Sequence, residues 1–451
     1  MRVEVSISQP QHPYEFAPIF LSYGDTTITR VKLNIDYRNL YEFTHLLSGT
    51  SFDLFLTASI IYGIDILLPR ESVGYDGWSR EIDVEIPVAD ADLFMAAKET
   101  LDKTLSFLTG DVWNVSFLER PVSTLYQSGQ RGKVYKQQYR DSHKVVNLFS
   151  GGMDSLIGAI NQLANSQDRV CLVSHTDAMF KGAKGDQENL IQVIKRKYRH
   201  FHHLPTRVDM EKWDVDGQKY EKETTLRSRS FLFLSMAVLV ADSLRGDMPV
   251  YIPENGTISL NYPLTPSRRS SCSTRTTHPH FIELMNSFLQ NIGLNHQVEN
   301  KYQTCTKGEM VEQCVDRDVL LAAYNKSCSC GKRGTRKDIR DDNHAVHCGV
   351  CMPCIYRRAA LHKISLSEKV GTDIFHSVKR GVMDIPDMPA LVSYIRKDIS
   401  KEEIKRNLLI NGSLPLDKLD EYASVVMRTR EEIKQWVRDK APRDIKRLFG
   451  V

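Results

Sequence analysis

Apolar and polar positions alternate over TITRVKLNI (27–35) and REIDVEIPV (80–88), a period of two that predicts half-buried strands. Between them lies the most apolar stretch of the chain, 54–68. It is short and interrupted by Tyr62, Gly63 and Asp65, which predicts a buried helix followed by a strand rather than a membrane span. Over 90–108 the period changes to helical, with Leu93, Ala96, Ala97, Leu101, Leu105 and Leu108 on one face. Residues 1 to about 140 therefore read as a small α+β unit. The polar segment YQSGQRGKVYKQQYRDSHK (126–144) reads as a linker or long surface loop.

Past that segment the pattern changes. VVNLF (145–149) is apolar throughout and reads as a strand buried on both faces. LIGAINQLA (156–164) follows a turn and reads as a helix, and VCLVSH (170–175) as the next strand. SFLFLSMAVLVADSL (230–244) is a strongly apolar helix and VYIPE (250–254) another strand. This alternation predicts an α/β domain over 141–365, a parallel sheet with helices on both faces. From 366 to 451 the chain is charged and helical, as in LDEYASVVMRTREEIKQWVRDK. No internal repeat or low-complexity tract is present.

Composition narrows the class. With 451 residues, 41% hydrophobic and 26% charged, the chain is globular and long enough for two or three domains. A formal net charge of +4 is too small to argue for nucleic-acid binding by itself. The start lacks the basic-then-apolar pattern of a signal peptide, so the cytoplasm is the expected location, with no membrane contact.

Ser150-Gly151-Gly152-Met153-Asp154-Ser155 lies between a predicted strand and a predicted helix. Two glycines allow a tight turn with inward N–H groups. The helix start adds positive potential for an anion. Ser150 and Ser155 offer hydroxyls, and Asp154 gains a role if Mg²⁺ bridges the phosphates. A plain Gly-Gly turn capped by Asp154 or Ser155 is the alternative. From average residue usage, however, a chance match to the full string is on the order of one in a thousand or less. No G-K-[ST] follows, which excludes the P-loop kinases and GTPases.

Five of the nine cysteines fall between 328 and 354; the others, Cys171, Cys272, Cys305 and Cys314, are scattered. Cys348, Cys351 and Cys354 have C-x₂-C-x₂-C spacing, and Cys328 could supply a fourth ligand. Cys330, His344 and His347 are alternatives to Cys328. A closed four-cysteine site favours Zn²⁺; an iron–sulfur cluster, unliganded thiols and a catalytic cysteine are the other readings.

The string SGGMDS resembles the pyrophosphate loop of the PP-loop ATP pyrophosphatases. Within them, the chain resembles the 7-cyano-7-deazaguanine synthase (QueC) family over about 145–362. The resemblance rests on Ser327-Cys328, Cys348-Gly349, Cys351, Cys354, Arg357 and the Ala359-Ala360-Leu361 helix, together with Thr306-Lys307-Gly308-Glu309-Met310. Arg229 matches an R-N segment with Ser230 in place of the asparagine. His278-Pro279 and Phe281-Ile282-Glu283 match a Y-P-D-x-R-x-x-F-I segment that has lost its tyrosine and aspartate.

The resemblance implies ATP-dependent adenylation of a 7-deazaguanine carboxylate, with Ser150, Gly151, Gly152, Met153, Asp154 and Ser155 holding pyrophosphate and Mg²⁺. Lys307 and Arg229 would neutralise charge at the α-phosphate. The region around His175, at the end of its strand, would receive adenine.

Three departures stand out: the region before the loop, the charged insert GKRGTRKDIRDDNHAV (331–346), and the helical tail. With them the chain resembles the QueC-like proteins of bacterial anti-phage systems, the QatC family above all. That resemblance implies partner subunits and transfer of the acyl group to an amine. Nitrile synthesis from ammonia, a non-catalytic nucleotide-binding scaffold and tRNA thiolation are the rival expectations. The basic stretch 331–340 could meet nucleic acid, although a solvated face is the simpler account.

Overall fold

The computed structural model describes residues 1–24, 28–75, 77–128, 135–179, 182–264, 275–333, 341–342, 344–377 and 381–451. Half of the charged insert, 334–340 and 343, lies outside them, as does Cys272.

Ten strands form one mixed sheet. They are β1 (Arg2–Ile7), β2 (Ile19–Tyr23), β3 (Thr29–Asp36), β4 (Glu81–Val88), β5 (Val112–Glu119), β6 (His143–Leu148), β7 (Arg169–Thr176), β8 (Phe201–Met210), β9 (Val250–Tyr251) and β10 (Val298–Glu299). Their order is β10-β9-β6-β7-β8-β3-β2-β1-β4-β5. The five strands β6 to β10 are all parallel, and counted from β6 they lie in the order 3-2-1-4-5. That is the doubly wound arrangement, with its switch point between β6 and β9.

Helices cover both faces. Val145, Val170 and Leu172 pack in one core with the helices Met153–Asn165 and Ala183–Lys197. Val146, Leu148, Cys171 and Val173 point into another with Arg229–Asp242 and Thr50–Leu67. Alternate residues of fully buried strands thus feed opposite layers. A third core gathers the C-terminal helices around Cys348, Cys351 and Cys354.

The sheet corrects several expectations. β3, from before residue 140, pairs antiparallel with β8, Leu33 opposite Met210 and Asp36 opposite Arg207. Strand β8 carries Pro205, which cannot donate to a ladder, yet β3 pairs only beyond it, over 207–210.

The 54–68 stretch lies in one helix, Thr50–Leu67, with Leu68 as its C-cap, and no part of it is a strand. Gly63 is no break. A Cβ there would lie 2.7 Å from Leu21 Cδ1, so its absence lets the helix approach β2 closely. This helix is long and apolar enough to cross a membrane, but 94% of its apolar window is buried inside the protein. The 90–108 stretch divides into Ala91–Ala96 and Lys98–Thr109, with Ala97 between them.

Candidate functional site

The sequence 150–155 follows the carboxyl end of β6, at the switch point of the parallel strands. Gly151 has φ +89°, a conformation that L side chains rarely adopt. Gly152 precedes the helix Met153–Asn165, and its N–H donates to Ser150 Oγ at 3.3 Å. Ser150 Oγ donates in turn to Ser155 Oγ at 3.1 Å, and Ser155 Oγ to the Gly152 carbonyl at 3.1 Å. Gln187 fixes the loop from the neighbouring helix. Its amide donates to the Ser150 carbonyl at 3.3 Å and the His175 carbonyl at 3.1 Å.

Asp154 is buried and turns toward the other side of the switch point. Lys307 Nζ lies 2.7 Å from both of its carboxylate oxygens, and Asn255 Nδ2 donates to it at 2.8 Å. Asn255 follows β9 and caps the short helix Gly256–Ser259 through its Oδ1, which fixes the direction of its amide. Glu254 stands beside them, half-buried, and accepts from Asn255 at 3.2 Å.

Burial pushes the Asp154 carboxyl up, but the Lys307 ammonium, Glu254 and the Asn255 amide outweigh it and hold the group below the usual carboxylate range. Burial and the Asp154 charge drive Glu254 well above that range. Two carboxyls thus lie beside one ammonium. Glu254 went unnoticed in the sequence because VYIPE reads there as a plain strand end; the signal was its place after the fourth strand of a doubly wound sheet.

Lys307 owes its position to a capping box. Thr306 Oγ1 accepts from the Glu309 N–H at 3.0 Å, and the Thr306 N–H donates to Glu309 Oε2 at 2.8 Å. The C-terminal helix Leu419–Lys440 braces this turn. Glu432 accepts from Thr306 Oγ1 and, at 3.3 Å, from the Gly308 N–H, while Arg428 Nε lies 2.6 Å from Glu309 Oε1.

Arg229 reaches the loop indirectly. Its Nε lies 3.4 Å from His175 Nδ1, and its guanidinium sits 5.0 Å from the Phe233 ring centre. His175 Nε2 lies 2.8 Å from the Val208 carbonyl. Burial first, then Arg229, lowers the His175 pKa to about 3, so the ring is neutral. Tyr62, from the N-terminal region, packs edge-on against His175 and donates to Asp177 Oδ2 at 2.5 Å.

Cys330, Cys348, Cys351 and Cys354 form the second feature. Their sulfurs all lie within 4.8 Å of one another, a group that could hold a metal ion such as zinc. The Cys348–Cys354 and Cys351–Cys354 separations are 3.8 and 3.3 Å. Four thiolates about 2.3 Å from a tetrahedral Zn²⁺ stand about 3.8 Å apart, so the cage fits. The N–H of Cys348 points at Cys330 Sγ (3.3 Å), and that of Cys351 at Cys348 Sγ (3.4 Å). The neighbouring thiols, Cys330 first, pull the Cys348 thiol far down and push Cys351 and Cys354 far up. Four thiolates cannot coexist there without a cation. Gly349 turns the knuckle with φ +82°, and a Cβ would sit 2.1 Å from the Thr372 carbonyl.

The fourth sulfur is that of Cys330, which corrects the choice of Cys328. The Cys328 backbone is committed to the Gly151 turn, its N–H donating to the Gly151 carbonyl at 2.9 Å. His347 is buried but accepts from the Ser329 N–H at 3.2 Å, and His344 is exposed.

In comparisons with known proteins, no family model and no curated sequence matches the chain.

Proposed function

We propose that the chain is a PP-loop enzyme of the QueC-like type. It adenylates a 7-deazaguanine carboxylate with ATP and transfers the acyl group to an amine, on a protein partner in anti-phage defence, in the cytoplasm. The observation that carries the reading is the meeting of Asp154 and Lys307 at the switch point. Two segments 153 residues apart converge there on the N-terminus of the loop helix.

In this reading a substrate carboxylate oxygen attacks the α-phosphorus of ATP. The bond to the bridging oxygen breaks, and pyrophosphate leaves into the cradle of Ser150, Gly151, Gly152, Met153 and Ser155. The N–H groups of the turn and the helix start favour the departing anion. Lys307, kept charged by Asp154, neutralises the pentavalent centre. Arg229 and the neutral His175 border the nucleotide at the end of β7. Mg²⁺, held by Asp154 with Glu254 beside it, would supply further charge neutralisation on the phosphates. The amine then attacks the acyl carbon, and AMP departs with its electron pair. The four-cysteine cage holds Zn²⁺ in a structural role.

The defence role and the protein acceptor rest on the resemblance. The test is pyrophosphate release from ATP with 7-carboxy-7-deazaguanine, comparing wild type with Asp154→Ala. The expected result is acid-dependent release that the variant loses. Absence of release from a wild type that binds ATP would refute the substrate assignment.

A further inference from the structure

The segment 327–330 touches both the phosphate loop and the metal cage. At one end Cys328 donates its N–H to the Gly151 carbonyl at 2.9 Å, and Ser329 Oγ lies 3.5 Å from the Met153 N–H. At the other, Cys330 contributes its sulfur to the cage. Ser329 sits between them with no slack, since consecutive Cα atoms are about 3.8 Å apart. Arg357, fully buried, supports the segment from beneath. Its Nη1 donates to Ser327 Oγ at 2.9 Å and Ser329 Oγ at 3.4 Å, and its Nε is held by Glu368 at 2.8 Å.

We propose that Ser329 belongs to the pyrophosphate site, and that the cage acts through Cys330 to hold it there as a metal-anchored wall. This rests on the loop being a phosphate site. Met153 is the first residue of a 13-residue helix, so its N–H is one that an anion would take. Ser329 Oγ stands in for that anion at 3.5 Å, a weak contact that a phosphate oxygen displaces at little cost. Arg357 already donates to Ser329 Oγ, which leaves the hydroxyl hydrogen free to point at the phosphate. Metal and pyrophosphate therefore stabilise one arrangement of the same four residues, and by linkage each raises affinity for the other.

Calorimetric titration of the full chain with inorganic pyrophosphate and Mg²⁺ tests this, zinc-loaded and after chelation, alongside Ser329→Ala. Zinc affinity is read separately by competition with a chromophoric chelator, with and without pyrophosphate. We expect Ser329→Ala to bind pyrophosphate roughly tenfold more weakly, the loss of one charge-assisted hydrogen bond, with unchanged zinc content. Pyrophosphate should slow zinc loss and raise zinc affinity by the factor that zinc raises pyrophosphate affinity. If wild type binds pyrophosphate while Ser329→Ala binds it equally well, or zinc affinity ignores pyrophosphate, the wall is refuted and the loop assignment stands. If zinc-loaded wild type binds none, both fall. Should chelation unfold the chain, the zinc competition and Ser329→Ala still decide.

Discussion

At the scale of single residues, the site turns on a buried lysine. Lys307 is 3% exposed and its charge is matched by Asp154, with Asn255 and Glu254 completing the surroundings. Breaking one side of such a pair leaves an uncompensated charge and costs about 3–5 kcal/mol, whereas removing both charges with similar volume costs far less. Lys307→Met should therefore destabilise the protein by about that amount in urea denaturation. The double variant Asp154→Asn with Lys307→Met should recover most of it while, if the proposed function holds, releasing no pyrophosphate from ATP. Equal stability of Lys307→Met and wild type would show that the pair is not coupled.

At the scale of elements, the sequence of 366–451 predicts a helical extension beyond the α/β domain. One face of Leu419–Lys440, carrying Arg428, Thr429 and Glu432, instead meets the turns around Lys307 and Asn255. Thr429 and Thr257 share a hydrogen bond at 2.6 Å, and Glu432 holds residues on both sides of Lys307. Glu432→Gln keeps the shape but removes a charged acceptor, a change of about 1.5–3 kcal/mol for the hydrogen bonds concerned. If the proposed function holds, pyrophosphate release should fall about tenfold or more in kcat, with KM for ATP changing less, because that reading has Lys307 act on the transition state. A variant that raises KM alone would place the helix in substrate binding instead. Helical periodicity announced the helix from its sequence; which neighbour its charged residues would meet was not encoded in that period.

At the scale of the molecule, strands from the first 140 residues share one sheet with β6 to β10. Without them β8 loses its partner β3, and the buried helix Arg229–Asp242 loses its contact with Thr50–Leu67. An ionic cluster also crosses the boundary. Asp65 binds Arg80 at 2.5 Å and accepts from both the N–H and the hydroxyl of Ser228, next to Arg229. A chain of residues 141–451 alone exposes a sheet edge and an apolar helix face, and it should be insoluble or bind a hydrophobic dye without a cooperative thermal transition. A soluble product with a sharp transition would mean that the boundary at 140 divides independent units after all.

The sequence by itself determined what depends on near neighbours. The alternation of β3 and β4, the apolar runs of β6 and β7, the glycine turn before Met153 and the cysteine knuckle around Gly349 are written in spacings of a few residues, because pleat, helical turn and metal chelation have those periods. Tertiary structure alone decided what depends on distance in space. It selected Cys330 over Cys328, since two cysteines two residues apart have equal claim on a metal until one backbone is bound to the loop. It brought Glu254 to Asp154, joined β3 to β8, and set Glu432 over Lys307. Each of these is a pairing of charges, sulfurs or strand edges whose partner is fixed by burial and by the closing of the whole sheet.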